Sequence, residues 1–308
     1  MKIYQNACFT EFQHPGASVA LGNFDGVHRG HTYVISITKQ FSHFRFFGAI
    51  TFDPHPRDFF QAPRSPFHLT SKAQKEQYLK ENSLNFLWHQ TFDRAFAEQS
   101  PERFAQDFLV QGLRVGHVVV GPDFAFGHQR RGNVQTLRHL GERLGFGVTV
   151  AAPWIDEDGT VCASTTIRRL LREGNLKKAN HLLGRPYTIT GPVVAGDRLG
   201  RTLGFPTANI PMGSFLPPYA GAYAVTIQWR QHRHYGVSNV GIRPTVGGTK
   251  ERLEVHLFDF QNDLYGEDLS ISFHHFLRPE MKFPSLPALK ACIEEDCRRA
   301  RHFFGDIF

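Results

Sequence analysis

The sequence predicts an α/β doubly wound domain followed by a small antiparallel β-barrel domain with a C-terminal helix. Three observations predict it. Up to about residue 183, short apolar runs alternate with segments of helical period. Beyond it the runs become alternating or β-branched, and Gly- and Pro-bearing turns separate them. From Ser285 onward a helical period returns. A chain of 308 residues has room for two cores, so the domains are expected at 1–183 and 184–308, parting near Gly184.

In the first half, "SVALGNF", "FFGAITF", "LNFLWHQ", "GHVVVG" and "GVTVAAP" read as strands. They are apolar almost throughout, as strands of a parallel sheet covered on both faces must be. Between them, "HTYVISITKQF", "SKAQKEQYLKEN", "PERFAQDFLVQGL" and "VQTLRHLGERLG" repeat apolar residues at three and four, the period of a helix. In the second half, "YTITGPVVAG", "AYAVTIQWR", "HYGVSNVG", "LEVHLFDF" and "DLSISFHHF" read as barrel strands. Ser285 is the expected N-cap of the closing helix, which lies on the barrel.

Hydrophobic residues make up 41% of the chain and charged residues 20%, with 29 Phe, the profile of a packed globular protein. A net charge of +7 suits an anionic partner, for which nucleic acid, a membrane surface and nucleotide phosphates all qualify. The basic residues fall in short groups such as "HQRRGN" and "CRRARH", which read as solvated faces, so neither nucleic acid nor a membrane is the expected partner. Four cysteines without a C-x-x-C pair suit a reducing compartment. With no signal-like N-terminus and no run of 18 apolar residues, a cytoplasmic location is expected.

Chemistry concentrates in three stretches. "ALGNFDGVHRGH" places His28 and His31 where a strand hands over to a helix, so both fall at a helix N-terminus, whose free N–H groups and dipole attract anions. Gly22 and Gly30 let a phosphate approach the backbone, and the imidazoles can donate to oxygens that gain charge during displacement at phosphorus. A zinc site needs a third and fourth ligand that no neighbouring motif supplies. In "ASTTIRRLLREGNL", Ser164 or Thr165 caps a helix whose Ile167, Leu170 and Leu171 face inward, leaving Arg168 to grip a triphosphate; an ordinary basic surface helix fits equally well. "GDRLGRTLGFPTANI" joins a glycine-rich turn (Gly196, Asp197, Arg198, Gly200, Arg201) to Thr207 and Asn209, which offer hard oxygens to Mg²⁺. Glu254 in "RLEVHLFDF" alternates with apolar neighbours, and could accept a proton from an attacking hydroxyl or stand exposed with His256 and Phe258.

The string "GNFDGVHRGH" resembles the H-x-G-H signature of the nucleotidyltransferase superfamily, which class I aminoacyl-tRNA synthetases share. With "TFDPHPRDFF", "VVVGPDFAFGHQRRGN", "STTIRRLL", "LLGRPYTITGPVVAGDRLGRTLGFPTANI", "NVGIRPTVGG" and "LEVHLFDFQNDLYG", in order through nearly the whole chain, it closely resembles the bacterial bifunctional riboflavin kinase/FMN adenylyltransferase (FAD synthetase) family. The resemblance implies a nucleotidyltransferase-like first domain that adenylylates FMN with ATP to FAD and pyrophosphate, and a barrel that phosphorylates riboflavin with ATP to FMN. It implies that Thr207 and Asn209 hold Mg²⁺–ATP with the 196–201 turn, and that Glu254 is the kinase base. His28 and His31 then match the adenylyltransferase pair within an ATP loop that includes Gly22, Asn23, Phe24, Asp25 and Gly30, while Ser164, Thr165 and Arg168 match the triphosphate motif. His55–Pro56 and Asp123–Phe126 match segments near the flavin. Two departures stand out: Ala163 replaces the first Ser of the family's Ser–Ser–Thr, and Pro122 stands where a polar residue is usual. The alternatives are an adenylyltransferase for another small phosphate ester with a barrel that only binds, and an RNA-binding or aminoacylating protein. Oligomeric state is left open.

Overall fold

The computed structural model describes residues 1–308 except 6, 42–43, 61–65, 197–198, 246–247 and 306–308; the side chains of 199, 201 and 242–251 are also outside the description. The chain divides into two compact units, Met1–Ser65 with Lys72–Ala163, and Pro66–Ser71 with Ser164–Phe308.

The first unit is built on six parallel strands: β1 (Lys2–Gln5), β2 (Ser18–Leu21), β3 (Phe47–Asp53), β4 (Phe86–Thr91), β5 (His117–Val120) and β6 (Gly147–Val150), in the order β1-β4-β3-β2-β5-β6. Alternate residues feed two cores. Val19, Ile50, Trp88 and Val118 pack with Phe104, Phe108, Leu137 and Leu140 on one face, while Ala20, Ala49 and Leu87 pack with Ile35 and Leu79 on the other. Both faces are therefore covered, which is why the central strands carry no polar alternation. The order reverses direction across β2 and β5, the switch point beside which ligands of such sheets bind. The loops leaving β2 and β5 are the histidine string and "GPDFAFG".

Two elements differ from the expected pattern. The strand β1 has only one buried residue, Tyr4, and so lacks the apolar run that marks the others. The segment "FAQDFLVQG" is a π-helix, Phe104–Gly112, rather than an α-helix, with the Leu113 amide reaching back to the Phe108 carbonyl at 2.9 Å.

The second unit is an antiparallel barrel of β7 (Tyr187–Pro192), β8 (Ala208–Pro211), β9 (Gly221–Trp229), β10 (His232–Thr245), β11 (Gly248–Leu257) and β12 (Asp268–Pro279), in the order β7-β12-β9-β10-β11-β8. A bridge between Val194 and Asn209 nearly closes it. The helix Leu286–Phe304 starts on the expected N-cap, Ser285, whose hydroxyl accepts from the Ala288 N–H at 3.3 Å. It covers an outer patch of Ala222, Ala224, Val237 and Leu277 with Ala300. Among the described residues no helix is long and apolar enough to cross a membrane.

The helices Ser164–Arg172 and Leu176–Leu183 group with the barrel, so the compact units part twenty residues ahead of the boundary expected from sequence. The first of these helices begins at Ser164, which leaves Ala163 immediately before it, where no side chain can cap. Restoring a hydroxyl with Ala163→Ser is expected to stabilise this helix by about 1 kcal/mol. The check is the denaturant midpoint of the chain; an unchanged midpoint refutes the capping argument.

Candidate active sites

In the first unit, the loop 22–28 folds back onto the core. Phe24, Gly26 and Val27 have φ of +50°, +87° and +36°, and Phe24 and Val27 are buried in the cluster shared with Ile35 and Leu79. Side chains rarely adopt that conformation, so packing must hold it. The loop delivers His28 to the N-cap of the helix Arg29–Thr38, where its Nδ1 accepts the His31 backbone N–H at 3.3 Å. In the neutral ring this bond leaves the proton on Nε2. The two imidazoles stack with centroids 3.6 Å apart, and Phe24 meets His31 edge-on. Gly30 is required by packing: a Cβ there would lie 2.7 Å from the Cys162 carbonyl oxygen. At Gly22 a Cβ would meet only the Phe24 ring, at an ordinary 3.5 Å.

The Asn23 carbonyl accepts from Thr51 Oγ1 at 3.1 Å and from Lys75 Nζ at 3.3 Å, while Asp25 is buried. Burial pushes the Lys75 ammonium down from its ordinary value, with Asp25, Asp53 and Glu76 opposing. Lys72, one turn earlier on the same helix, pairs with Asp53 at the end of β3. His89, on β4, is pushed down to about 4 by burial and by Lys72 and Lys75, which makes it neutral at physiological pH. Sequence reasoning missed these lysines. The available signal was that Lys72, Lys75, Glu76 and Leu79 share one helical face.

His55 and Pro56 open the short helix Pro56–Phe60, the His55 Nδ1 accepting the Arg57 N–H at 3.0 Å. Asp123 is exposed, and Phe126 is buried against Gly132, where a Cβ would come within 2.8 Å of its ring. An unbroken aromatic seam joins these two segments: Phe60 to Phe92 (5.9 Å), on to Phe96 (5.9 Å) and Phe104 (5.9 Å), then to Phe126 (5.0 Å), on which Phe124 stacks at 5.6 Å. Phe60, at 67% exposure, is the open end of the seam. Phe124 falls inside the Asp123–Phe126 segment singled out in the sequence, whereas Phe60 did not stand out, being one Phe among 29.

In the second unit, Arg168 is buried beside Ile167, Leu170 and Leu171. Its Nε donates to the Phe67 carbonyl at 2.8 Å, and its guanidinium lies over the Phe67 ring. Ser164 is half-buried and Thr165 exposed.

The barrel places Asn209 on β8 directly opposite Glu254 on β11, which in turn faces Asn239 on β10. Directly opposed residues share a face, so the three form one polar row across three strands. Glu254 is half-buried between the fully buried Leu253 and Val255, which point to the other face. Asn209 Oδ1 is buried with no hydrogen-bond partner among the described residues. The glycine-rich turn packs on this residue: a Cβ at Gly196 would lie 2.3 Å from Asn209 Nδ2, and one at Gly200 2.3 Å from the Phe205 carbonyl. Asp197 and Arg198 lie outside the described residues, and of Arg201 only the backbone, in the helix Leu199–Thr202, is described. Thr207 lines a cavity of about 180 Å³ with Val193, Leu257, Phe260 and Tyr265. The row and the cavity were not legible in sequence, since β8 is only four residues long and ends in proline.

Gly196→Ala is expected to push the Asn209 amide aside and lower FMN formation about 100-fold, the scale of an ångström misplacement, while FMN added directly still becomes FAD. Residue 196 does not have a positive φ, so alanine tests space alone. Retained FMN formation would refute the packing argument.

Two family models match the chain, FAD synthetase over residues 10–166 and riboflavin kinase over residues 183–304. The chain is 40% identical over 293 residues to the bifunctional riboflavin kinase/FMN adenylyltransferase of Escherichia coli (strain K12), covering 94% of this chain and 93% of that protein. It is 39% identical to the protein of the same description from Haemophilus influenzae, covering 94% and 95%. A solved structure from Streptococcus pneumoniae, described as a macrolide-efflux protein, superposes with a TM-score of 0.83 at 28% identity, covering 97% of this chain and 99% of that one. The parallel-sheet unit with its stacked histidines, the barrel with its Asn209–Glu254 row and the relatives matched end to end lead to one conclusion: this chain belongs to the bifunctional riboflavin kinase/FMN adenylyltransferase family.

Proposed function

We propose that the chain makes FAD from riboflavin in two steps, each using one ATP, with phosphorylation in residues 184–308 and adenylylation in residues 1–183. The observation that carries the reading is the row in the barrel, where Asn209, whose buried amide oxygen has no hydrogen-bond partner among the described residues, stands opposite Glu254 in register. In the kinase step, Glu254 takes the proton of the ribityl hydroxyl as that oxygen attacks the γ-phosphorus of ATP and ADP leaves. The Asn209 Oδ1 and the Thr207 hydroxyl fit a Mg²⁺ ion, which takes few protein ligands and keeps its waters. Among the described residues no group of three or more His, Cys, Asp or Glu side chains gathers elsewhere as a metal cage. When bound, Mg²⁺ supplies charge neutralisation on the phosphates.

In the adenylyl step, a phosphate oxygen of FMN attacks the α-phosphorus of ATP and pyrophosphate departs. His28, with its proton on Nε2, and His31 donate to the oxygens that gain charge, and the loop from Gly22 to Asp25 cradles the nucleotide. The aromatic seam from Phe60 to Phe124 offers ring faces to the isoalloxazine. A barrel that merely binds, or an aminoacylating protein, is not favoured, because both halves match enzymes of flavin synthesis. The test is incubation of the protein with riboflavin, ATP and Mg²⁺ and separation of the flavins over time. FMN followed by FAD is expected; the absence of any flavin product overturns the reading.

A further inference from the structure

We infer that Lys75 is a positioning residue for adenylyl transfer, holding the nucleotide loop in place through the Asn23 carbonyl. This rests on the reading of the histidine string as the adenylyl site. Lys75 stands 52 residues from Asn23 in sequence, yet its Nζ donates to the Asn23 carbonyl at 3.3 Å and lies 3.4 Å from Thr51 Oγ1. Thr51 Oγ1 donates to the same carbonyl at 3.1 Å, so two donors converge on one oxygen. That oxygen precedes Phe24, the first residue of the loop forced to a positive φ, so fixing it sets where the chain turns away from β2. The ammonium also places positive charge near the buried Asp25 of the same loop.

The helix Lys72–Lys80 thus grips two loops with adjacent turns. Lys72 pairs with Asp53, which leads into His55–Pro56, and Lys75 holds Asn23. Displacement of a reacting group by an ångström costs about 100-fold in rate, and a loop held against unfavourable φ values relaxes when its anchor is removed.

The test uses the full chain and both of its reactions. Lys75→Met keeps length and apolar stem but removes the donor and the charge. It is expected to lower kcat for FMN adenylylation about 100-fold with a smaller change in KM for FMN, while riboflavin phosphorylation stays within twofold. Lys75→Arg restores a donor and is expected to recover part of the loss. Adenylylation within threefold of the parent in Lys75→Met overturns the inference. If Lys75→Met loses both reactions through misfolding, Thr51→Val decides: about a 10-fold fall in adenylylation alone, the scale of one lost hydrogen bond of ~1.4 kcal/mol, supports the anchor, and an unchanged rate overturns it. A parent chain that makes FMN but no FAD overturns the adenylyl reading itself, a result distinct from any of these.

Discussion

Glu254→Gln is expected to leave a chain that converts FMN to FAD but makes FMN from riboflavin about 1,000-fold more slowly, within the range a general base contributes. Glutamine keeps the shape of the side chain, and Leu253 and Val255 on either side hold the strand through the opposite, buried face. The barrel should therefore persist, and the lost function is the acceptor for the hydroxyl proton. Asn209 and Asn239 flank the carboxylate in register, and both remain. The measurement is the rate of FMN appearance from riboflavin and of FAD from added FMN on the same preparation. FMN formation within threefold of the parent would remove Glu254 from the reaction.

The second large effect is expected at His28. His28→Asn should lower FAD formation at least 100-fold, the loss typical of one preorganised donor, with FMN accumulating from riboflavin. The asparagine matters because His28 is also an N-cap, and an alanine there would cost about 1 kcal/mol of helix stability besides its chemistry. Asparagine caps well, so a comparison of His28→Asn with His28→Ala separates the two contributions. Both variants should lose FAD synthesis, and only the alanine should lower the unfolding midpoint. Full FAD synthesis by His28→Asn, or loss of both reactions, would argue that the ring only packs the loop.

Much of this architecture was legible because it is local. The apolar runs of β2 to β5 and the alternation of β7 and β9 to β12 are properties of a few neighbouring residues, and so is the handover from β2 to a helix that places His28 and His31 at its start. What escaped depends on distant partners. The strands β1 and β8 are four residues each and acquire meaning only beside β4 and β11. Arg168 reads as a free cation in a helical pattern, yet it is buried against Phe67, 101 residues earlier. Lys75 reads as one of several solvated lysines until Asn23 is brought to it. The Gly30 requirement was legible as a glycine but not as to its reason, which is the carbonyl of Cys162.

The division of the chain has a consequence for any attempt to obtain the two enzymes as separate polypeptides. The backbone leaves the first unit at Pro66, returns at Lys72 and leaves again at Ser164, so the chain crosses between the units three times rather than once. A single scissor cut after Ala163 strands Pro66–Ser71 on the wrong piece. The barrel fragment would then lack the Phe67 carbonyl that accepts from Arg168, and a buried guanidinium would lose an acceptor. The amino-terminal fragment would carry Phe67 and Leu69, now buried to 2% and 1%, as a loose greasy thread. Clean halves therefore call for grafting 66–71 onto the barrel piece, not for a shorter or longer cut.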